Sequence, residues 1–302
     1  MGRRRGHPHG FAPVGVPRHI DGGLERGNRG GKPMTVREIA RVDLRRARRT
    51  KVVRIAAIVL ALFASFVFLG AGMPGGYLVQ MYFGAILFPL LGIGLAYRSV
   101  AGECQSGNVQ YLLSLPNDRL EVLLGKCLSR VGIAVVVVVT AYTLVGVVLP
   151  LASDAPLSAL PSYVRFVALT ALFVTAHAGV AVGVSAATRS TGRTLGVMAA
   201  YFFLFDFMWV FPDGFSTVMA LTRVLEAVGI TVSETARAGL WITSPAGAYV
   251  HAMDPILPRN FLDPITVDAW FLSSTMATAV LLCWTALPPL ICYRWFARAD
   301  LD

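Results

Sequence analysis

Six stretches of the chain are apolar almost without interruption, at residues 52–70, 77–99, 131–153, 164–186, 194–211 and 269–292. Each is long enough to cross a hydrocarbon core of about 30 Å as a helix, so each is predicted to span a membrane. The five valines at 135–139 would favour a strand in water. In lipid a lone strand leaves its backbone polar groups unpaired, so helix wins over propensity. The first run is longer than the core of a signal peptide and lacks a convincing cleavage site. Just before it, residues 35–50 carry Val36, Ile39, Ala40 and Ala47 on one side and most of their arginines elsewhere. That pattern predicts an amphipathic helix lying in the membrane interface with its arginines among phosphates. Residues 1–33 are rich in Gly, Pro and Arg without periodicity and read as a disordered basic tail. Structure-like sequence starts at Met34, so translation from Met34 is an alternative to Met1.

Between the second and third runs lies a stretch too polar to join them, E-C-Q-S-G-N-V-Q-Y-L-L-S-L-P-N-D-R-L-E-V-L-L-G-K-C-L-S-R, from Glu103 to Arg130. Pro116 divides it: one helix can run up to Leu115, and a second can start at or just after the proline, capped by Asn117 or Asp118. In the second helix Leu120, Leu123, Leu124 and Cys127 share an apolar face, while Arg119, Lys126 and Arg130 fall on a separate basic stripe. A short amphipathic helix between two spans, with one basic edge, is the pattern of a docking element.

The same stretch resembles the cytoplasmic coupling region of the permease subunit of type-2 ABC exporters. The resemblance rests on Glu103, Ser106, Gly107, Leu112, Leu113, Ser114, Pro116, Arg119, Gly125, Lys126 and Arg130, with Asn108 where threonine is common. It implies an all-α integral membrane protein with six transmembrane helices, preceded by an interfacial amphipathic helix. It also implies a cytoplasmic coupling helix between spans two and three and a helical external segment between spans five and six. By the same resemblance, Glu103, Gly107, Leu113, Pro116, Arg119, Gly125, Lys126 and Arg130 couple the permease to its ATPase. The partners implied are two copies of an ABC ATPase subunit, which carry ATP and Mg, and a second permease subunit, identical or related.

Charge sets the orientation. The sequence holds 27 Lys and Arg against 17 Asp and Glu, a net charge of +10, but more than half of the basic residues lie within 1–54. Such a distribution reads as a topology signal and a contact with anionic lipid rather than a nucleic-acid surface. The basic N-terminal arm, the 103–130 segment, the loop with Arg189 and Arg193, and the tail with Arg294 and Arg298 fall on one side. That side is predicted to be cytoplasmic, both termini included, in a plasma-membrane protein. The long 212–268 segment is then external, and short helices are predicted at 215–228 and 234–242.

No metal or catalytic framework accompanies these spans. The four cysteines form no C-x-x-C or Cys/His spacing and read as free thiols, and the nine methionines form no ligand-like array. His251 and Asp254 are close in sequence, a spacing that more often marks a surface hydrogen bond than a metal site. Gly125-Lys126 has Leu120 where a P-loop needs its first glycine and Cys127 where it needs Ser or Thr, so ATP hydrolysis is expected on a partner and not on this chain. Gly179-x-x-x-Gly183 in the fourth run lets two helix backbones approach closely, read as packing within the subunit, with a place at the subunit–subunit interface as the alternative.

One carboxylate, Asp206, stands inside the fifth run among aromatic residues. A buried carboxylate in lipid needs a partner or water. Counting about 1.5 Å per residue from the loop at 187–193 puts His177 about 14 Å deep and Asp206 about 18 Å, so neighbouring antiparallel spans can bring them together. Asp206 then reads as lining the substrate pathway or as locking the fourth and fifth spans in one state; the alternative is that it reaches the outer headgroups within an aromatic belt. Two other classes of function stay open at this stage. A secondary transporter should carry several intramembrane charges and interrupted helices, and a membrane-embedded enzyme should cluster acids or histidines at one depth.

Overall fold

The computed structural model describes residues 35–48, 50–106, 118–152, 157–210, 216–257 and 269–298. Among them there is no strand. Helix α1 (Val36–Arg48) opens with a capping box, in which the Thr35 backbone N–H donates to the Glu38 carboxylate (2.9 Å) and the Glu38 N–H to the Thr35 hydroxyl (3.4 Å). Helix α2 (Lys51–Ala96) is two limbs joined at Gly72, whose φ of +68° interrupts the helix between the first two apolar runs. The short α3 (Ala101–Gln105) follows. Then come α4 (Arg119–Ala152), α5 (Leu160–Thr188) and α6 (Thr191–Phe202). Next are α7 (Thr217–Ala227), α8 (Glu234–Ile242), α9 (Pro245–Met253) and α10 (Ser274–Ala297).

Five helices among the described residues are long and apolar enough to cross a membrane: Lys51–Gly72, Gly75–Gln105, Arg119–Val148, Leu160–Thr188 and Ser274–Ala297. The fifth apolar run of the sequence is helical in pieces. After α6 the backbone widens into a π-helical turn, Phe203–Phe207, and returns to α-helix at Met208–Val210.

Two expectations change. The helix expected to stand alone after Pro116 as a docking element is instead the first three turns of α4, which runs on into the third apolar run without a break. Its start is fixed by the Asp118 backbone N–H donating to the Glu121 carboxylate (3.3 Å), and the next proline, Pro150, comes only at its far end. Pro116 itself lies outside the described residues, as do Gly107 and Leu113. The last long helix begins at Ser274 rather than 269, because Ser273 caps it by accepting from the Met276 N–H (3.3 Å).

Helix α5 is the element the others pack around, buried over most of its length. Its small residues decide how closely α10 approaches. A Cβ on Gly179 would stand 2.3 Å from the Thr285 carbonyl oxygen, and one on Gly183 2.9 Å from that of Pro288. Pro289 lacks the N–H that would bond the Thr285 carbonyl one turn earlier, so that carbonyl is free to point across the interface at Gly179. On the other side an aromatic cluster joins both limbs of α2 to α4 and α5. The Phe68 ring lies 5.6 Å from Tyr77 and 5.8 Å from Phe166, and Tyr142 lies 5.3 Å from Phe166. Within it the Tyr163 hydroxyl donates to the Tyr142 carbonyl and the Tyr142 hydroxyl to Gln80 Oε1 (2.8 Å).

Of the described helices between α6 and α10, α9 packs against α5 and α10. Trp209 and Trp241 exchange indole N–H bonds to each other's carbonyls (2.9 and 3.3 Å), and Tyr249 stacks on Phe173 of α5 with ring centroids 4.3 Å apart.

Replacing Gly179 by Ala should therefore push α10 off α5 and cost about 1–3 kcal/mol. Gly196→Ala, at a position with nothing within 4 Å, should be neutral or slightly stabilising. Unfolding midpoints of the two variants in the same detergent check the contrast.

Candidate functional site

Helix α3, at the start of the polar segment after α2, is anchored at both ends. Two backbone N–H groups at the start of α3, of Val100 and Ala101, donate to the Ser185 hydroxyl of α5 (3.2 and 2.9 Å). They are orphan donors of a helix N-terminus, and Ser185 satisfies them from another helix. At the other end of α3 the Thr191 hydroxyl of α6 donates to Gln105 Oε1 (2.8 Å). Between them Glu103 accepts from Lys126 Nζ of α4 (2.5 Å).

Lys126 is the centre of an ionic node. Its Nζ also donates to Asp43 Oδ1 of α1 (3.0 Å), and only 3% of the residue is exposed. Asp43, 5% exposed, accepts in addition from the Ser129 hydroxyl and from Arg130 Nη2 (3.1 Å). Arg130 donates its other amino group to the Leu95 carbonyl at the end of α2 (3.3 Å). Two acids and two bases thus cancel inside a half-sealed site that joins α1, α3 and α4. Burial alone would raise the Asp43 pKa; the Arg130 and Lys126 charges, with bonds from Ser129 and Lys126, outweigh it and hold the carboxyl below its ordinary value.

Gly125 makes this node possible. A Cβ there would stand 2.7 Å from Ile39 Cγ2, so only glycine lets α1 settle onto α4 with Asp43 beside Lys126. The apolar side of α1, with Ile39 and Ala40 buried, is covered by α4 rather than by lipid. Arg37, Arg41 and Arg45 are exposed.

The basic stripe read from the sequence accordingly turns inward. Lys126 and Arg130 face acids of the same chain, and Arg119 donates to the carbonyls of Phe296 and Ala297 at the end of α10 (3.1 and 2.9 Å). The Phe296 carbonyl also accepts from the Arg298 N–H, and a cation at this helix end complements the helix dipole. Asp43, Ser129 and Ser185 escape the sequence reading. A signal for Asp43 was present: it stands four residues after Ile39 and three after Ala40, in the middle of the apolar stripe, where an acid must have a buried partner.

The second polar site lies where α5 meets the π-helical turn. His177 Nε2 is 3.0 Å from both carboxylate oxygens of Asp206, and Nδ1 is 2.7 Å from the Phe173 carbonyl. Both residues are fully buried. The π turn aims Asp206 inward while Phe203 and Leu204 remain exposed. Gly179 and Gly183, on the same helix as His177, meet α10 of this chain, as described above.

Stacked apolar helices with buried, internally neutralised charges define a multi-pass membrane protein. A family model described as "ABC-2 family transporter protein" matches residues 73–301, and the chain belongs to that family: it is the membrane permease of an ABC transporter. Comparison with curated proteins gives no match.

Lys126→Met leaves Glu103 without its ammonium partner and should cost about 3–5 kcal/mol, with a strongly non-additive double variant Asp43→Asn/Lys126→Met. Because the folded Asp43 pKa is lowered, its contribution is complete above about 3.9 and is lost as pH falls through the folded value. Protection of the α1 amides against hydrogen exchange, taken relative to the intrinsic rate at each pH, should therefore fall in acid in the wild type and already be low at neutral pH in Asp43→Asn.

Proposed function

We propose that the chain is the membrane half of an ATP-driven exporter. In this reading two permease subunits, identical or related, enclose the path, and an ABC ATPase subunit docks on the 103–118 segment of each. The apolar run at 194–211, entering as α6 and passing through the π turn, serves as the fifth of six crossings. The termini and the docking segment face the cytoplasm of a plasma-membrane protein, as the arginine distribution requires.

The anchoring of α3 is the observation that carries the reading. Ser185, Lys126 and Thr191 hold α3 to α5, α4 and α6 at once. Lys126 carries the link on to α1. Displacement of the docking segment therefore reaches three helices together, which is what rocking a path between two facings demands. ATP and Mg supply the driving chemistry on the partner. This chain supplies the platform that receives the motion: Glu103, Gly125, Lys126 and Arg130 hold its shape, Arg119 fixes the end of α10, and Gly107, Leu113 and Pro116 form the contact.

The test is affinity purification of the tagged chain from its native membrane. An ABC ATPase should co-purify, and Leu113→Asp should lower its retention about tenfold or more, the loss expected from one interface anchor worth about 2 kcal/mol. The unfolding midpoint of the permease should not move. Full retention of the ATPase by Leu113→Asp would sink the docking role of this segment.

A further inference from the structure

We propose that His177 and Asp206 form a buried binding site for a single proton that fastens α5 to the run following α6. The hydrogen bonds set the occupancy. A carbonyl oxygen can only accept, so Nδ1 of His177 carries a hydrogen and donates it to the Phe173 carbonyl at 2.7 Å. Nε2 then faces two carboxylate oxygens at 3.0 Å. With no proton between them, a ring lone pair and a carboxylate repel each other with no exposure to water on either residue. With two, a buried imidazolium faces a neutral acid. One proton, on nitrogen or on oxygen, leaves the site neutral and bonded.

The surroundings make this proton a ligand of one helix arrangement. A Cβ on Gly92 would stand 2.8 Å from His177 Cβ, so the second limb of α2 closes the site from one side. The Tyr201 ring closes another, 5.8 Å from the imidazole, and the Phe173 ring a third at 4.7 Å. The titratable groups facing the pair are Tyr201 on α6 and, beyond Phe173, Tyr249 on α9. Neither brings a charge at neutral pH. Any state in which α5 and α6 part and water reaches the pair exposes an ordinary histidine and an ordinary aspartate. Above a pH of about 6.5 these together keep no proton, so parting releases one.

Proton counting yields a test that needs neither an ATPase nor a substrate, so its outcome is independent of the exporter reading. The unfolding equilibrium of the full chain is measured in mixed micelles between pH 5 and 8 for the wild type and four variants. His251, which burial pushes below its ordinary range against the opposing influence of Asp254, contributes equally to every curve and cancels in the ratios. Asp206→Asn leaves a neutral histidine that holds no shared proton when folded but takes one when unfolded below about 6.5. The ratio of wild-type to Asp206→Asn folding constants should then fall about tenfold per pH unit over the whole range. His177→Gln leaves a protonated acid, and its ratio should rise about tenfold per unit up to about 6.5 and stay constant above.

The apolar double variant His177→Phe/Asp206→Leu removes both polar groups together and so avoids an orphaned partner. Its ratio should be constant below about 6.5 and fall about tenfold per unit above it. Tyr201→Phe should give a ratio independent of pH. Flat ratios for the Asn, Gln and double variants would overturn the proposal, and so would a pH-dependent ratio for Tyr201→Phe, which would place the proton on the phenol.

Discussion

A carboxylate in the middle of an apolar helix face dictates the arrangement at one end of this protein. Asp43 cannot be buried alone, since an isolated charge in a low-dielectric site costs far more than its neighbours' packing returns. Lys126 and Arg130 answer it from α4, and Lys126 in turn holds Glu103 at the start of the polar segment. The glycine before Lys126 is part of the same requirement, because any side chain there would hold Ile39, and with it Asp43, out of reach. Gly125-Lys126 is therefore one device: the glycine brings the acid in and the lysine neutralises it. The net result is a corner in which α1, α3 and α4 are joined by ion pairs.

The opposite pressure acts on α5. Lipid offers no hydrophobic driving force between helices, so contact depends on close approach and on satisfying polar groups across the gap. Gly179 and Gly183 admit α10 backbone to backbone at a place where paired prolines have freed a carbonyl. Ser185, two residues further on, reaches α3. One helix thus meets the last helix through its glycines and α3 through its serine. A motion entering at α3 reaches the α5–α10 seam within two turns.

The long apolar runs are legible in the sequence because lipid leaves helix as the only economical backbone state, and five of them emerge as helices of spanning length. The nearness of His177 and Asp206 is legible for a related reason: rise per residue turns sequence distance into depth, and depth restricts the choice of partner. What the sequence hides is direction around a helix. Lys126 and Arg130 read as an outward stripe because nothing on α4 itself opposes them, and the acid that claims both is more than 80 residues away on α1. A basic stripe has no sign of inside or outside until the other helix is placed. The start of α4 hides for a different reason. A turn of polar residues before an apolar run looks like a separate helix on composition, although no residue between 119 and 149 breaks the hydrogen-bond ladder.

The two buried polar sites meet one demand in different ways, and their positions explain the difference. The Asp43 node is half open, with Glu103 and Arg130 partly exposed, so it can hold four formal charges and let water screen the remainder. At the pair neither residue has any exposure, and screening is not available. There the cheapest neutral state is a single proton shared by two groups, with the spare imidazole N–H fixed on a carbonyl of the same helix. Four charges that stay put make a strut; one proton that can leave makes a fastening. The node suits the place where force would enter, since its attraction survives small displacements. The pair suits the place where helices must either hold or separate, since its bond vanishes once water reaches it.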